Sequence, residues 1–270
     1  MLGSTPDISE VYPKTGLDID LAIGPPYPIS SGSCLFDGSD DFVNCGDHAN
    51  SQMASGDFSV VYWAKTTGTA ETFIVSKQDG ASAYDGYRFG FEGTNYRFRV
   101  SDGTTGIEVD GAAVVNDGKW HHFAFTVDRS GNLLAYVDGQ LDKTTDITSI
   151  NNAIDPDEDL ILGASYSGGS QNFGGNACNV GIYKGTVLTQ AQVRSIMLAT
   201  SYAATAAVVT PSLFYLLQDN YNDSTGNQNG TNNGSTLTGT RCHLPYGLTS
   251  TDNRHDARLY TGRGIDFDGT

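Results

Sequence analysis

The chain has 270 residues, with 33 Gly, 14 Tyr, 12 Phe and only 17% charged residues, a mix suited to short strands joined by many turns. Its formal net charge is −16, from 31 acidic against 15 basic residues, and no Lys/Arg cluster occurs, which argues against a nucleic-acid partner. No stretch is apolar and long enough to span a membrane, and the first 28 residues lack the basic start and apolar run of a secretory signal.

Residues 1–30 are rich in Pro and turn residues, with Gly24-Pro25-Pro26-Tyr27-Pro28, and cannot supply a helix or a central strand. They read as an extended N-terminal arm, either a tail or a strap onto a neighbouring subunit. From Ser33 short β-type runs recur between Gly, Asp and Asn: 33–37, 42–45, 57–66, 72–77, 86–92, 95–101, 106–110, 120–128, 132–138, 159–163 and 176–184. Several alternate, as Tyr96-Arg97-Phe98-Arg99-Val100 does, which predicts one buried and one wet face. Asp138-Gly139 is hairpin turn chemistry. Trp120, Phe123, Phe125 and Val127 are expected to anchor a core between two sheets.

Of the four cysteines, Cys34, Cys45, Cys178 and Cys242, none shows zinc spacing. Cys34 and Cys45 flank a predicted hairpin and allow a disulfide or two buried thiols, the thiols being the preferred reading. One helix is predicted after Leu188, with Thr189 and Gln192 as a capping box and Val193, Ile196 and Met197 as its apolar stripe. Tyr202 to Val209 and Thr210-Pro211 read as a linker, and Ser212 to Gln218 as a strand. The run Ile265-Asp266-Phe267-Asp268-Gly269 echoes Leu35-Phe36-Asp37-Gly38 and predicts a tandem repeat. The expected organisation is therefore an arm (1–30), an all-β two-sheet antiparallel sandwich with one short C-terminal helix (31–203), and a linker with the start of a second, similar module (204–270).

Five segments in fixed order carry a family resemblance. They are Leu35-Phe36-Asp37-Gly38-Ser39-Asp40-Asp41-Phe42-Val43, then Phe58 to Lys65, then Asp117-Gly118-Lys119-Trp120-His121-His122-Phe123 and on to Asp128. Leu134 to Gly139 follows, and last come Leu162-Gly163, Val180 to Tyr183 and Leu188-Thr189. Over this span the chain resembles the laminin-G-like family of concanavalin A-type jelly rolls. The resemblance implies a calcium ion between the opening hairpin and the last strand, at Asp37, Gly38 and Asn179. Cys178 and Asn179 stand where the family usually has two Asp, which weakens such a site for a hard cation. The many acids beside Gly or Asn, such as Asp40, Asp79 and Asp102, otherwise read as turn chemistry.

The same fold hosts glycoside hydrolases, but no pair of carboxylates alternates along one strand, and Glu158-Asp159 are adjacent beside a turn. His121 and His122 sit on neighbouring strand positions and cannot chelate one ion together. One is expected to be packed and the other exposed. No catalytic residue is assigned. Sugar rings stack on flat side chains beside a few polar groups, so the loops carrying Tyr84, Asp85 and Tyr87, and Tyr166, Asn172 and Phe173, are the ligand-binding candidates. The expected partners are a glycan or host-surface polysaccharide and, through the arm, neighbouring virion proteins in an oligomeric assembly. An outward-facing module without an export signal fits a virion surface protein, a capsid decoration, fibre or tail component. A secreted or cell-surface carbohydrate-binding adhesin is the alternative, and a removed leader would suit it.

Overall fold

The structure is a computed structural model that describes residues 32–80, 84–166, 170–199 and 201–238. The arm over 1–30, Cys242 and the Phe-Asp-Gly echo at 267–269 lie outside the described residues. Along the chain come β1 (Ser33–Asp37), β2 (Phe42–Asn44), β3 (Phe58–Lys65), β4 (Thr72–Gln78), β5 (Gly86–Glu92), β6 (Asn95–Ser101) and β7 (Gly106–Val114). Then follow β8 (His121–Val127), β9 (Asn132–Val137), β10 (Gln140–Asp146), β11 (Ile161–Leu162) and β12 (Gly174–Lys184). The helices α1 (Gln190–Met197) and α2 (Tyr202–Val208) precede β13 (Leu213–Tyr215), β14 (Thr231–Asn233) and β15 (Thr236–Thr238).

The strands form two antiparallel sheets. One runs β10-β9-β8-β3-β12-β1-β15, with β13 also on β12, and the other runs β14-β2-β11-β4-β5-β6-β7. Period-2 alternation turns Tyr87, Phe89 and Phe91 of β5 and Tyr96, Phe98 and Val100 of β6 into the space between them. Phe123, Phe125 and Val127 meet them from β8, as the sequence predicts. Trp120 does not. Its parity puts it on the outer side of the first sheet, in a separate cluster with Trp63, Cys178 and Met197 of α1.

Helix α1 has the predicted capping box, the Thr189 hydroxyl accepting from the Gln192 amide, and it buries Val193, Ile196 and Met197. The predicted linker is instead helix α2, capped by Ser201. Its Ala-rich run, YAATAAV, has high helix propensity, which outweighs the polar flanks that suggested a connector. Strand β10 has no sequence signal because QLDKTTD is an exposed edge with no apolar face. It still joins the two sheets. Asp142 Oδ2 accepts from the hydroxyl of buried Tyr96 (2.7 Å) and from the backbone amide of Ala112 (2.8 Å).

The described part of the C-terminal segment belongs to this same sandwich. β13 pairs with β12, β14 with β2 and β15 with β1. Leu213, Tyr215 and Leu217 enter the common core, and their apolar burial explains why these residues pack here. Cys34, Cys45 and Cys178 are buried, and Cys34 and Cys45 are not bridged to each other. The strand holding Cys34 and the one preceding Cys45 lie in different sheets, and burial pushes both of these thiols up to about 12.

Candidate functional site

The outward-facing positions of β5, β6 and β7 carry charge because the alternate positions carry the core. Antiparallel register sets Arg88 opposite Arg99, Arg99 opposite Glu108, and Arg97 opposite Asp110. Two guanidiniums side by side would repel. Glu108 relieves this, with Oε2 2.7 Å from Arg88 and 3.6 Å from Arg99. Arg97 is held by both oxygens of Asp110 (2.7 and 3.1 Å) and by Glu71 (2.9 Å). Burial disfavours the charge of Glu108, yet Arg88, then Arg97 and Arg99, hold it below the usual carboxylate range.

Both sequence-predicted loops reach this face. Tyr84, 37% exposed, lies over Arg99 with the guanidinium carbon 4.7 Å from the ring centroid, and Arg88 is 5.9 Å away. Tyr84 has φ +50, a left-handed conformation unusual for a residue with a side chain. From the other loop, the backbone carbonyl of Gln171 accepts from the Phe73 amide, and its side chain meets Arg88 and Glu71. Phe73 is buried on this outer side beneath Arg88, with 4.4 Å from guanidinium carbon to ring centroid. Tyr166, in the same loop and 43% exposed, follows Ser165, whose carbonyl accepts from Ser76 of β4. Ser76 is the cross-strand neighbour of Arg88.

The other candidates are placed differently. Tyr87 is in β5, not a loop; its ring is fully buried and its hydroxyl donates to the Ser51 carbonyl. Phe173 is likewise core, stacked on Phe91 at 5.6 Å and edge-on to Phe36. Both rings obey strand parity, which the turn-rich flanks concealed, and neither has a face left for a ligand. Asn172 is 8% exposed and donates to the Ser39 carbonyl; its own Oδ1 is buried without a partner. Asp85 is half-buried at the base of the Tyr84 loop. Burial and the nearby Asp79, Asp155 and Asp102 raise its pKa, against a backbone amide of Asp155.

The expected metal set does not come together. Asp37 pairs with Gly174 at one end of β12, whereas Asn179 is five residues further along, roughly 16 Å at ~3.3 Å per residue. Asn179 instead sits in a β12 bulge, with φ +53 and its amide donating to Leu216. There it borders a small cavity of about 150 Å³ with Tyr202, Phe214 and Gln218. The opening hairpin does gather three carboxylates. Oxygens of Asp37, Asp40 and Asp41 lie within 4.8 Å of one another. Asp37 Oδ1 accepts from the Ser39 amide and Asp41 Oδ2 from the Asp37 amide, so the turn already uses part of this set. The unpartnered Oδ1 of Asn172, whose amide meets the same turn, fits a further oxygen donor.

The two histidines do face opposite ways, but both are buried, and neither is the exposed member expected. His121 packs edge-on to Phe123 on the inner side, its ring nitrogens 2.8 Å from Asp138 and 3.2 Å from Asp117. His122 packs against Trp63 on the outer side. Burial opposes the charge of His121, but Asp138 and then Asp117 raise its pKa above the usual value. Burial lowers His122 to about 4. A raised pKa gives stabilisation that is complete below about pH 6.5 and lost as pH rises through the folded-state value. Relative to His121→Gln, the wild type is therefore expected to lose melting temperature between pH 6 and pH 8. Equal slopes for the two proteins would show that the Asp138–His121–Asp117 contacts contribute nothing.

The sequence singles out Tyr84 and Tyr166 but gives no sign that Arg88, Arg97, Arg99, Glu71, Glu108 and Gln171 gather beside their loops. The alternation at 96–100 marked a wet face, but only the register shows which charges meet on it.

The family described as the concanavalin A-like lectin/glucanases superfamily matches residues 37–194, more than half of the chain. The chain belongs to that superfamily. No curated protein matches the sequence. Among solved structures, a protein of Bacteroides ovatus ATCC 8483, provisionally described as carbohydrate binding, is 18% identical with a TM-score of 0.60. The match covers 77% of this chain and 59% of that one, so the chain spans less than two thirds of its length. A heptameric SAP-like pentraxin from Limulus polyphemus is 14% identical with a TM-score of 0.55, over 80% of this chain and 99% of that one. Both likenesses are of fold.

Proposed function

We propose that this is a non-catalytic glycan-binding module whose ligand lies on the outer face of β5–β7, beside the Tyr84 and Tyr166 loops. The observation that carries the reading is convergence. Two separate loops with exposed tyrosines reach one charged sheet face, and Tyr84 is held there against Arg99. A partly apolar platform ringed by fixed polar groups is what sugar recognition needs. The Bacteroides relative lends fold-level support. Glu108 speaks for binding over hydrolysis: a general acid needs a raised pKa, and the arginines hold this one down. Against a panel of immobilised glycans, Tyr84→Ala is expected to weaken binding by about tenfold or more. Unchanged binding would remove this face from the proposal.

Calcium is proposed at the opening hairpin alone, with Asp37, Asp40, Asp41 and Asn172 as the oxygen donors and Asn179 left out. An ion there would neutralise a three-carboxylate turn and brace it against the 172–174 segment. Calcium is expected to raise the melting temperature, and Asp40→Asn to reduce that gain. An identical midpoint with calcium and with chelator ends the idea.

The building role, with display on a virion and oligomeric neighbours, draws on residues 1–30 and on the echo at 267–269, all outside the described residues.

A further inference from the structure

We infer that the ligand of this face is a neutral, hydroxyl-rich sugar and that Arg99 is its polar anchor; this rests on the glycan-binding reading above. Arg97 already donates to Asp110 and Glu71 through all three of its nitrogens. Arg88 donates to Glu108 and Gln171 and has its guanidinium carbon 4.4 Å over the Phe73 ring. Arg99 differs. Its nearest carboxylate oxygen, on Glu108, is 3.6 Å away and is already taken by Arg88 at 2.7 Å. Its Nε, like that of Arg88, is buried without a partner, but unlike Arg88 its side chain makes no other hydrogen bond among the described residues. Tyr84 covers one side of the guanidinium, and Gly106 stands beside it, where a Cβ would come within 2.9 Å of Nη2. The group is therefore held in place while its donor capacity is largely unused.

Charge decides which ligand suits it. Three guanidiniums here face four carboxylates, Glu71, Glu92, Glu108 and Asp110, on a chain of formal charge −16. A uronate, sialate or sulfate would have to enter a field that is already negative, or displace Glu108 from Arg88. A neutral ring pays neither penalty. Its hydroxyls can accept from Arg99 and donate to Glu108 or to Asp110, whose side chain is 49% exposed, while its apolar face rests on Tyr84. Paired donors and acceptors on one rigid sheet face suit vicinal hydroxyls, which offer both functions side by side.

The test is a binding panel with the whole chain, comparing neutral hexose-based glycans with sialylated, uronate-bearing and sulfated ones, at low and at physiological salt. Neutral glycans are expected to bind with less than about a twofold change between the two salts. Arg99→Gln is expected to weaken them by about tenfold, with Arg99→Lys recovering little of the loss. Binding confined to acidic glycans, or a steep loss with salt, overturns this inference and leaves the glycan-binding reading standing. Silence across every glycan overturns both. Circular dichroism and melting of each variant separate lost contact from lost fold, and an Arg99→Gln protein that is folded and binds as the wild type does removes Arg99 as the anchor.

Discussion

Truncating Phe125 to alanine is expected to destabilise the protein by about 3–5 kcal/mol, the typical cost of deleting a buried ring that its surroundings cannot refill. Phe125 is wholly buried on β8 and is stacked on Phe89 of the facing sheet at 4.6 Å. It also meets Tyr96 at 5.6 Å, Phe98 at 5.9 Å and Tyr62 at 6.0 Å. Those neighbours come from both layers, each fixed by its strand register, so the cavity left behind cannot close by one side chain shifting. Urea unfolding should show the midpoint falling with an unchanged slope. A loss under about 1 kcal/mol would mean that the two sheets are not joined through this ring. The same variant bears on the site, because Phe89 and Phe98 alternate with Arg88 and Arg99 on the same strands. Loosening the inner row should blur the outer one.

That coupling explains which parts of the molecule could be read from the sequence. Parity along Tyr96-Arg97-Phe98-Arg99-Val100 is a local property, so the buried and wet faces of β6 were legible. So was α1, whose cap and stripe lie within ten residues. Which charges meet across strands was not legible, because Arg99 and Glu108 become neighbours only through a register set by the whole sheet. Tyr87 and Phe173 show the converse error. Flanking Gly, Ser and Asn suggested loop tips, but burial of a ring outweighs weak turn preferences. The five segments in order pointed to the fold, but they could not show that Asn179 lies halfway along β12, five residues from the Gly174 that pairs with Asp37. Strands β14 and β15 are three residues each and almost wholly polar. They are strands because exposed edges of β2 and β1 offer them hydrogen bonds, a signal absent from their own residues.

The second large effect is expected at a buried charge. The side chain of Lys77 on β4 is wholly inaccessible, with Nζ 2.7 Å from Asp47 and a further bond to the Glu158 carbonyl. Asp47 is 37% exposed in its side chain and also accepts from Gln52 at 3.1 Å. The two partners are therefore not equivalent. Asp47→Ala strands an ammonium in the interior with only a carbonyl to compensate it, and is expected to cost about 3 kcal/mol. Lys77→Met removes the buried charge and keeps most of the volume. The carboxylate it leaves behind retains water and Gln52, so the expected cost is within about 1 kcal/mol. Urea unfolding of the two variants, side by side, checks the order. If Lys77→Met proved the more damaging, the ion pair itself would be holding β4 against the 47–52 and 158–160 segments, rather than merely neutralising a charge that the strand happens to bury. Since Ser76 beside it is the cross-strand neighbour of Arg88, a displaced β4 would also be felt on the proposed binding face, as weaker glycan capture in whichever variant moves the strand.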